Sequence, residues 1–483
     1  MKLAERKMTF GVIIGVRAFF NPALADGDRR DTLKLLKRLG YGAVITETSE
    51  TLSGSIETLS DAKLCAELFK RRRDEIDGVI VLLPNFGDEV AIAETLKRAA
   101  LGVPVLVQAS NDDPLHVDLD GRRDSFCGKL SVCNNLYQYG VPYTLTETHT
   151  CDVSGEGFEA DIVKFASVCR TVKGLREARV GLFGTRPAAF QTVRFSEKLL
   201  QRTGINVVPA DLSQVFAAAN LVSAGEAAYR DRLAEVRSYG NIEAVSDEVL
   251  AKSVKLSVAI DRLMEENELD ASAIQCWDSL ENNYGVAACL IMSMMGERML
   301  PSACEGDVAG AVSMYALLLA SGNIPGFMDW NNNYGLEANT CVNTHCSNYP
   351  RSFMGNGPGI GYLDVLSRTI KRDNCFGAVK GKVAPGDVTY FRISTDDSKG
   401  FIKGYVGEAR FVDRPFDMDG GIAVVEIPNM QKLMKTICRN GFEHHVAMAR
   451  SKAAAVVHEA AARYLGWKIY WHERPESEDV FEF

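Results

Sequence analysis

The first half of the chain alternates short apolar runs with stretches in which apolar residues recur every three or four positions. Gly78–Leu83, GVIVLL, is apolar at nearly every position, as expected of a strand covered on both faces. Apolar runs at Phe10–Val16 and Gly42–Thr46 are followed by amphipathic stretches at Arg29–Leu39 and Ala62–Arg73. This βαβ alternation predicts a doubly wound parallel sheet.

A second cycle of the same kind begins at Arg179–Thr185, RVGLFGT. After about Pro350 the pattern changes to glycine-rich, alternating strands, which predicts a small antiparallel sheet or barrel with a few helices. We therefore expect an α/β fold with three domains. These are residues 1–172 and 173–350, both doubly wound, and residues 351–483, mostly antiparallel β.

Composition limits the classes of partner. Of the 483 residues, 46% are hydrophobic and 24% are charged, the balance of a soluble globular enzyme. The formal net charge of -9 argues against nucleic acid or an anionic membrane as the main partner. The 12 cysteines are scattered and form no CxxC motif, which favours reduced thiols in a cytoplasmic protein. The apolar N-terminus could be read as a signal peptide, but Arg17 interrupts it and a buried strand is preferred.

The segment GLFGTRP, starting at Gly181, lies between a predicted strand and a predicted helix, where phosphate-binding loops occur. It lacks both GxGxxG and GxxxxGK[ST]. A tight strand-to-helix turn is the better interpretation, and we predict no nicotinamide cofactor.

The candidate chemistry lies in Ser272–Pro350. Glu305 follows a predicted strand and Asp329 ends the next one, with one predicted helix between them. In a parallel βαβ unit both strand ends would face one crevice, so the two acids are expected to converge on one ion. The alternatives are a surface or helix-capping role for Glu305 and a buried, hydrogen-bonded role for Asp329. Asp307 is the better candidate for the N-cap of the following helix.

Histidines add a second kind of ligand. His345 lies in NTHCSN, and His444 and His445 lie in NGFEHHVAMA. If Phe442–Met448 is a strand, His444 and His445 point to opposite faces and only one reaches a shared ion. Carboxylates combined with imidazole suit Mn²⁺ and its neighbours.

The motifs QCW, ACEGD, FMDWN and NTHCSN, with the late HH pair, resemble those of the L-fucose/L-arabinose isomerase superfamily. IGVR near the N-terminus fits the same resemblance weakly. The resemblance implies two Rossmann-like domains followed by a domain containing a β-barrel, and assembly into trimers or hexamers. It also implies Mn²⁺, with Co²⁺ or Mg²⁺ as alternatives, held by two carboxylates and histidine.

By position, Glu305 and Asp329 match the two acids of that family. One of His444 and His445 matches the late ligand, with His445 preferred, and His345 matches an additional histidine of the arabinose branch. Asp at 329 is closer to the fucose branch, so the sugar stays open among pentoses, 6-deoxyhexoses and sulfonated sugars. The residues expected to bind substrate are Arg17, Gln275, Trp277 and Asn440. The resemblance implies that Arg17 acts in a neighbouring subunit, whereas its alternative is a salt bridge within its own domain.

These features together predict a metal-dependent aldose–ketose isomerase that works on a small sugar. The two carboxylates would act as base and acid in proton transfer between C2 and C1 through a cis-enediol. The metal would polarise the carbonyl. A metal-dependent sugar epimerase and a non-catalytic sugar-binding protein are the alternatives.

Overall fold

The computed structural model describes residues 7–345 and 348–475. The chain divides into two compact units. The first comprises Met1–Lys173 with Glu459–Gly466, and the second comprises Gly174–His458 with Trp467–Phe483. The three-domain division expected from the sequence stays a prediction. In the described ranges, no helix is both long enough and apolar enough to cross a bilayer.

The first unit is built on a five-stranded, all-parallel sheet with the order β2-β1-β3-β4-β5. Its elements in chain order are β1 (Thr9–Ile14), α1 (Leu24–Arg38), β2 (Gly42–Ile45), α2 (Leu59–Arg71), β3 (Gly78–Leu83), α3 (Glu89–Ala99), β4 (Val105–Ala109), α4 (Ser125–Gln138), β5 (Thr144–Leu145) and α5 (Glu156–Glu177). Alternate residues of β3 contribute to two different hydrophobic cores: Val79 and Val81 to one, Ile80 and Leu82 to the other. Helices therefore cover both faces of the sheet, which confirms the doubly wound arrangement here.

The second unit contains a four-stranded parallel sheet with the order β10-β9-β6-β7. Its elements are β6 (Arg179–Phe183), α6 (Glu197–Thr203), β7 (Asn206–Ala210), α7 (Leu212–Leu221), α8 (Ala227–Tyr239), β8 (Asn241–Ile242), α9 (Asp247–Glu266), β9 (Ala271–Ile274), α10 (Ser279–Asn283), α11 (Cys289–Glu297), β10 (Ser302–Cys304) and α12 (Val308–Ser321).

A mixed sheet of 11 strands completes the second unit. Its remaining elements are β11 (Pro325–Asp329), β12 (Asn332–Asn333), β13 (Thr340–His345), β14 (Gly359–Tyr362), β15 (Phe376–Lys382), β16 (Gly386–Asp396), β17 (Phe401–Val412), β18 (Gly421–Glu426), α13 (Met430–Arg439), β19 (His445–Ala449), α14 (Ala454–His458) and β20 (Lys468–Trp471). The sheet is mostly antiparallel, as expected. It also takes β8 and β11–β13 from residues before 351, so it is not confined to the C-terminal segment.

One expectation about topology is wrong. β11 does not lie beside β10 in a parallel βαβ unit but pairs antiparallel with β19 in the mixed sheet. The intervening helix α12 is buried at every position from Val308 to Ala320 and packs against strands of both sheets. A crossover helix on one sheet would keep a polar face toward solvent. α12 has no such polar face, because it lies between the four-stranded parallel sheet and the mixed sheet and connects β10 of one to β11 of the other.

Candidate metal centre and substrate cleft

Glu305 occupies a tight turn at the carboxyl end of β10. Its φ is +61° and that of Gly306 is +66°, so two consecutive residues adopt the left-handed conformation. A Cβ on Gly306 would lie 3.0 Å from the backbone nitrogen of Arg186 and from the oxygen of Thr185. Glycine is therefore needed at 306, whereas Glu305 adopts a conformation that is costly for a residue with a side chain.

Gln275 and Trp277 lie at the same edge of the parallel sheet, in the loop after β9. Oε1 of Gln275 accepts a hydrogen bond of 2.8 Å from the backbone nitrogen of Thr185. The Trp277 ring lies 5.0 Å from that of Phe190, which in turn lies 6.0 Å from the His444 ring. The two expected substrate-binding residues thus belong to the same sheet edge as Glu305.

Asp329 and His445 are brought together by the register of the mixed sheet. They are direct partners across the antiparallel pair β11–β19. Nε2 of His445 lies 3.2 Å from Oε2 of Glu305 and 3.5 Å from Oδ1 of Asp329. The two acids therefore converge as expected, but through a histidine of a different sheet and not through adjacent parallel strands.

The other two predicted histidines also lie at this point. Nε2 of His345 and Nε2 of His444 are each 3.8 Å from Oδ1 of Asp329. The expectation that only one of His444 and His445 reaches the site is wrong, because β19 begins at His445 and His444 precedes the strand. Their rings lie 4.1 Å apart. Cys304, the last residue of β10, has its Sγ 3.1 Å from Nε2 of His345.

Asp307 fixes the orientation of His445. It caps α12 as expected, accepting a 2.8 Å hydrogen bond from the backbone nitrogen of Gly310. Its Oδ2 also lies 2.8 Å from Nδ1 of His445, and Arg392 donates to both of its oxygens at 2.6 and 3.1 Å. Arg392 is itself held by Glu443 at 3.3 Å. Since an ionised carboxylate only accepts, Nδ1 of His445 is the donor and Nε2 is left facing Glu305 and Asp329.

Sequence reasoning missed this supporting group. Asp307 was assigned only a capping role, and Arg392 and Glu443 were not considered. The one available signal was Arg392 itself, a charge within the apolar strand TYFRIST. A buried arginine requires a buried acid as its partner.

Electrostatics at the site favour a bound cation. Burial alone would raise the pKa of Asp307, but the charges of Arg392 and His445 hold it well below its usual range. Burial would lower the pKa of His445, yet the neighbouring acids raise it to about 10. Burial would likewise raise the pKa of Glu305, and the nearby histidines instead lower it. The pKa of His444 is lowered by burial and by repulsion from His445. Ionised acids thus surround one imidazole, and positive charge at Nε2 is stabilised.

The donor atoms fit a metal ion. Oε2 of Glu305, Oδ1 of Asp329 and Nε2 of His445 are buried and have no hydrogen-bond partner among the described residues. Buried polar atoms normally have a partner, so three such atoms pointing at one another indicate a ligand. Three sets of groups have ligand atoms within 4.8 Å of one another: Cys304, Glu305 and His345; Glu305, His444 and His445; and Asp329, His345 and His445. Carboxylate and imidazole suit Mn²⁺ and related divalent cations.

Arg17 and Asn440 are placed differently. Arg17, in the first unit, forms ion pairs with Glu89 and, at 3.8 Å, with Asp88. This is the salt bridge within its own domain that was its alternative, and its role toward substrate stays a prediction. Asn440 ends α13, where its side-chain nitrogen donates 2.8 Å to the oxygen of Thr436. The exposed Asn440 side chain thus bonds its own helix, and its substrate role also stays a prediction.

The N-terminal and C-terminal parts of the chain both match domains of known isomerases. Residues 11–176 match the fucose/sulfoquinovose isomerase N-terminal domain, and residues 343–472 match the L-fucose isomerase C-terminal domain. A sulfoquinovose isomerase of Priestia aryabhattai is 26% identical over 78% of this chain and 81% of that protein. Another, from Alkalicoccus urumqiensis, is 24% identical over 79% of this chain and 83% of that protein.

The α/β architecture, the converging carboxylates and these relatives define the chain as an aldose–ketose isomerase. The chain belongs to the fucose isomerase-like family, whose two domain descriptions together cover more than half of it. The resemblance noted in the sequence motifs is thereby confirmed.

Proposed function

We propose that this chain is a metal-dependent aldose–ketose isomerase that interconverts an aldose and its 2-ketose through a cis-enediol. The observation that carries the proposal is the meeting of Oε2 of Glu305, Oδ1 of Asp329 and Nε2 of His445, all buried and without hydrogen-bond partners in the described ranges. Glu305, Asp329 and His445 would hold the ion, with His444 and His345 beside them. We propose Mn²⁺ as the ion, with Co²⁺ or Mg²⁺ as alternatives.

A bound divalent cation would polarise the sugar carbonyl and stabilise negative charge on the sugar oxygens. Proton transfer falls to the carboxylates. Each carboxylate has a second oxygen, Oε1 of Glu305 or Oδ2 of Asp329, that would take the proton while Oε2 and Oδ1 face the ion. One would remove the proton from C2 and the other would support its delivery to C1. His445 stays fixed throughout, because Nδ1 is held by Asp307.

The first candidate substrate is sulfoquinovose, which is 6-deoxy-D-glucose with a sulfonate on C6. It is the sugar named for the relatives that cover most of this chain. L-Fucose, L-arabinose and D-arabinose are the next candidates, from the resemblance of the motifs. Discrimination among them depends on groups that surround the remote end of the sugar.

We also propose a homo-oligomer, a trimer or hexamer, in the cytoplasm. The cysteines of the described residues form no disulfide, which is consistent with a reducing compartment. The oligomer is proposed from the family resemblance alone.

The test is an NMR assay in D₂O with added Mn²⁺ and each of the candidate aldoses. Formation of the 2-ketose together with deuterium at C2 of the recovered aldose is the expected result. An aldose inverted at C2, without accumulation of ketose, would indicate an epimerase instead. Binding of a sugar with neither ketose formation nor exchange at C2 would reduce the chain to a sugar-binding protein.

A further inference from the structure

A cleft of about 660 Å³ opens at the carboxyl edge of the parallel sheet. It is lined by Gln275, Trp277 and Arg186, among others. The backbone nitrogen of Arg186 lies against Gly306, the residue that follows Glu305. The cleft is of the size that holds small ligands, roughly 300–1,000 Å³, and it begins beside the carboxylate centre.

Arg186 is held by backbone oxygens alone, as Arg194 and Arg450 of the same unit are, but it differs from them in lining this cleft. Its Nη1 donates only to two backbone oxygens close in sequence, those of Pro187 at 3.1 Å and Ala188 at 3.3 Å. Within the part of the chain that the structure describes, no carboxylate forms an ion pair with its guanidinium. Arg392, by contrast, is bonded to two acids, and Arg298 is bonded through two nitrogens to Asp261. The backbone contacts anchor Arg186 while Nε and Nη2 remain available.

The rest of the cleft suits a polar group on a compact sugar. The Oε1 atom of Gln275 is occupied by the backbone nitrogen of Thr185, which leaves its amide nitrogen as a donor. Trp277 provides an apolar wall with an indole N–H, and Thr369 adds a hydroxyl. The single acid of the lining, Asp278, accepts a hydrogen bond of 3.1 Å from Asn282. Arg186 is the only cation of the lining.

The geometry points to Arg186 as the residue that binds an acidic substituent at the end of the sugar remote from C1 and C2, and to aldoses with a sulfonate or similar anion as the preferred substrates. This inference rests on the proposed isomerase function. A planar guanidinium can donate two parallel hydrogen bonds to the oxygens of an anion, which a neutral deoxy end could not accept. Because the backbone nitrogen of Arg186 lies against Gly306, an anion bound in this cleft would orient the chain of the sugar as well as select it.

The experiment compares sulfoquinovose with 6-deoxy-D-glucose, which differs only in lacking the sulfonate. We expect the wild type to favour sulfoquinovose in kcat/KM. Arg186→Met should lower kcat/KM for sulfoquinovose by roughly 10- to 100-fold, the scale of a lost charge-assisted hydrogen bond, mainly through KM. The loss in kcat/KM for 6-deoxy-D-glucose should be much smaller, because that sugar offers no anion to the guanidinium, and the Kd for Mn²⁺ should not change. Arg186→Lys keeps the positive charge but cannot donate two parallel hydrogen bonds. Its kcat/KM for sulfoquinovose should lie between those of the wild type and Arg186→Met.

Arg194→Met is the matched control. Arg194 is exposed in the same stretch of chain and donates from Nε to the oxygen of Gln191 at 3.2 Å. It shares with Arg186 the lining of a neighbouring cleft of about 930 Å³ but does not line this one. Its replacement should leave the preference for sulfoquinovose unchanged. A second measurement, inhibition of the wild type by inorganic sulfate, is independent of how any variant folds. Sulfate should compete with sulfoquinovose.

Several results would overturn the inference. These are full kcat/KM of Arg186→Met on sulfoquinovose, an equal loss on both sugars, a loss in Arg194→Met in its place, or no competition by sulfate. A wild type that isomerises both sugars equally would remove the inference and leave the isomerase proposal standing. A wild type that turns over none of the candidate aldoses would remove the proposed function itself.

Discussion

Both units contain a parallel sheet with charged residues at its carboxyl edge. The two edges differ in whether those charged side chains have partners. In the first unit, Arg17 is paired with Glu89, and Arg123 donates 3.1 Å to Asp28. In the second unit, Oε2 of Glu305 has no hydrogen-bond partner among the described residues, and Arg186 has no acid partner there. The carboxylate oxygen without a partner indicates where a ligand is expected, because buried polar atoms normally have a hydrogen-bond partner.

The largest effect should come from the unsatisfied carboxylates. Glu305→Gln and Asp329→Asn are each expected to lower turnover by at least ~100-fold, because each change removes a proton-transfer group and a metal ligand together. Steady-state assays on the identified aldose provide the measurement. Asp364→Asn is the control, since this half-exposed carboxylate pairs with Lys380 at 3.0 Å away from the cluster. Near-normal turnover in either site variant would remove that residue from the mechanism.

Metal removal tests whether the unpartnered atoms hold an ion. EDTA should abolish activity, and Mn²⁺ or Co²⁺ should restore it. His445→Ala should weaken metal binding more than His444→Ala, because the His445 side chain is 0% exposed and fixed by Asp307, whereas that of His444 is 41% exposed. Calorimetric metal titration of both variants decides the order, and the reverse order would assign the ligand to His444.

Arg17 tests the comparison of the two sheet edges most directly. It forms ion pairs within its own unit, yet it is predicted to bind substrate. We expect Arg17→Ala to lose activity and a mixture of Arg17→Ala with Glu305→Gln subunits to regain part of it after exchange. Some sites in the mixed oligomers would then contain both native residues. Full activity of Arg17→Ala alone, or no recovery in mixtures shown to have exchanged, would leave Arg17 with its structural salt bridge only.

The smallest expected effect is on the pH dependence of stability, through Glu408, a half-buried acid whose carboxylate accepts hydrogen bonds. Glu408 accepts hydrogen bonds from the backbone nitrogen of Ala454 at 2.8 Å and from Thr389 at 2.9 Å, yet burial raises its pKa to about 7. The folded state therefore binds this proton more tightly than the unfolded state. The stability that the proton contributes is present at low pH and is lost as pH rises through about 7.

We therefore compare the unfolding free energy of Glu408→Gln with that of the wild type. The difference in favour of the variant should grow as pH rises from 5 to 8, by at most about 1.4 kcal/mol per pH unit. Urea unfolding at four pH values measures this difference, and turnover should stay unchanged. A difference that shrinks as pH rises would show the opposite sign and contradict the assignment.

The sequence was most informative where burial is local. The strand Gly78–Leu83 was predicted with its observed bounds because every position is apolar and buried. The helix Ser125–Gln138 was not predicted, since its buried positions include Ser125, Gly128 and Lys129, which break the apolar period. Periodicity predicts a helix only when the buried face is apolar.

At the site, chain-local signals identified the residues but not their arrangement. Glu305 and Asp329 were found because each lies at the carboxyl end of a strand, although the strands belong to different sheets. The bond between Arg392 and Asp307 joins residues 85 positions apart and depends on where β16 lies in the mixed sheet. No local pattern encodes such a pairing, so the group that orients His445 required the structure.

The left-handed backbone at Glu305 has a consequence for how this family can change over generations. Glycine would adopt the φ of +61° without the cost of about 1–3 kcal/mol that such a conformation imposes on other residues. Glu305→Gly would also remove a carboxylate whose Oε2 has no hydrogen-bond partner within the described ranges. A descendant released from selection for catalysis could therefore lose this glutamate and keep, or strengthen, its fold. Such a descendant would still resemble an isomerase while having become an inactive one.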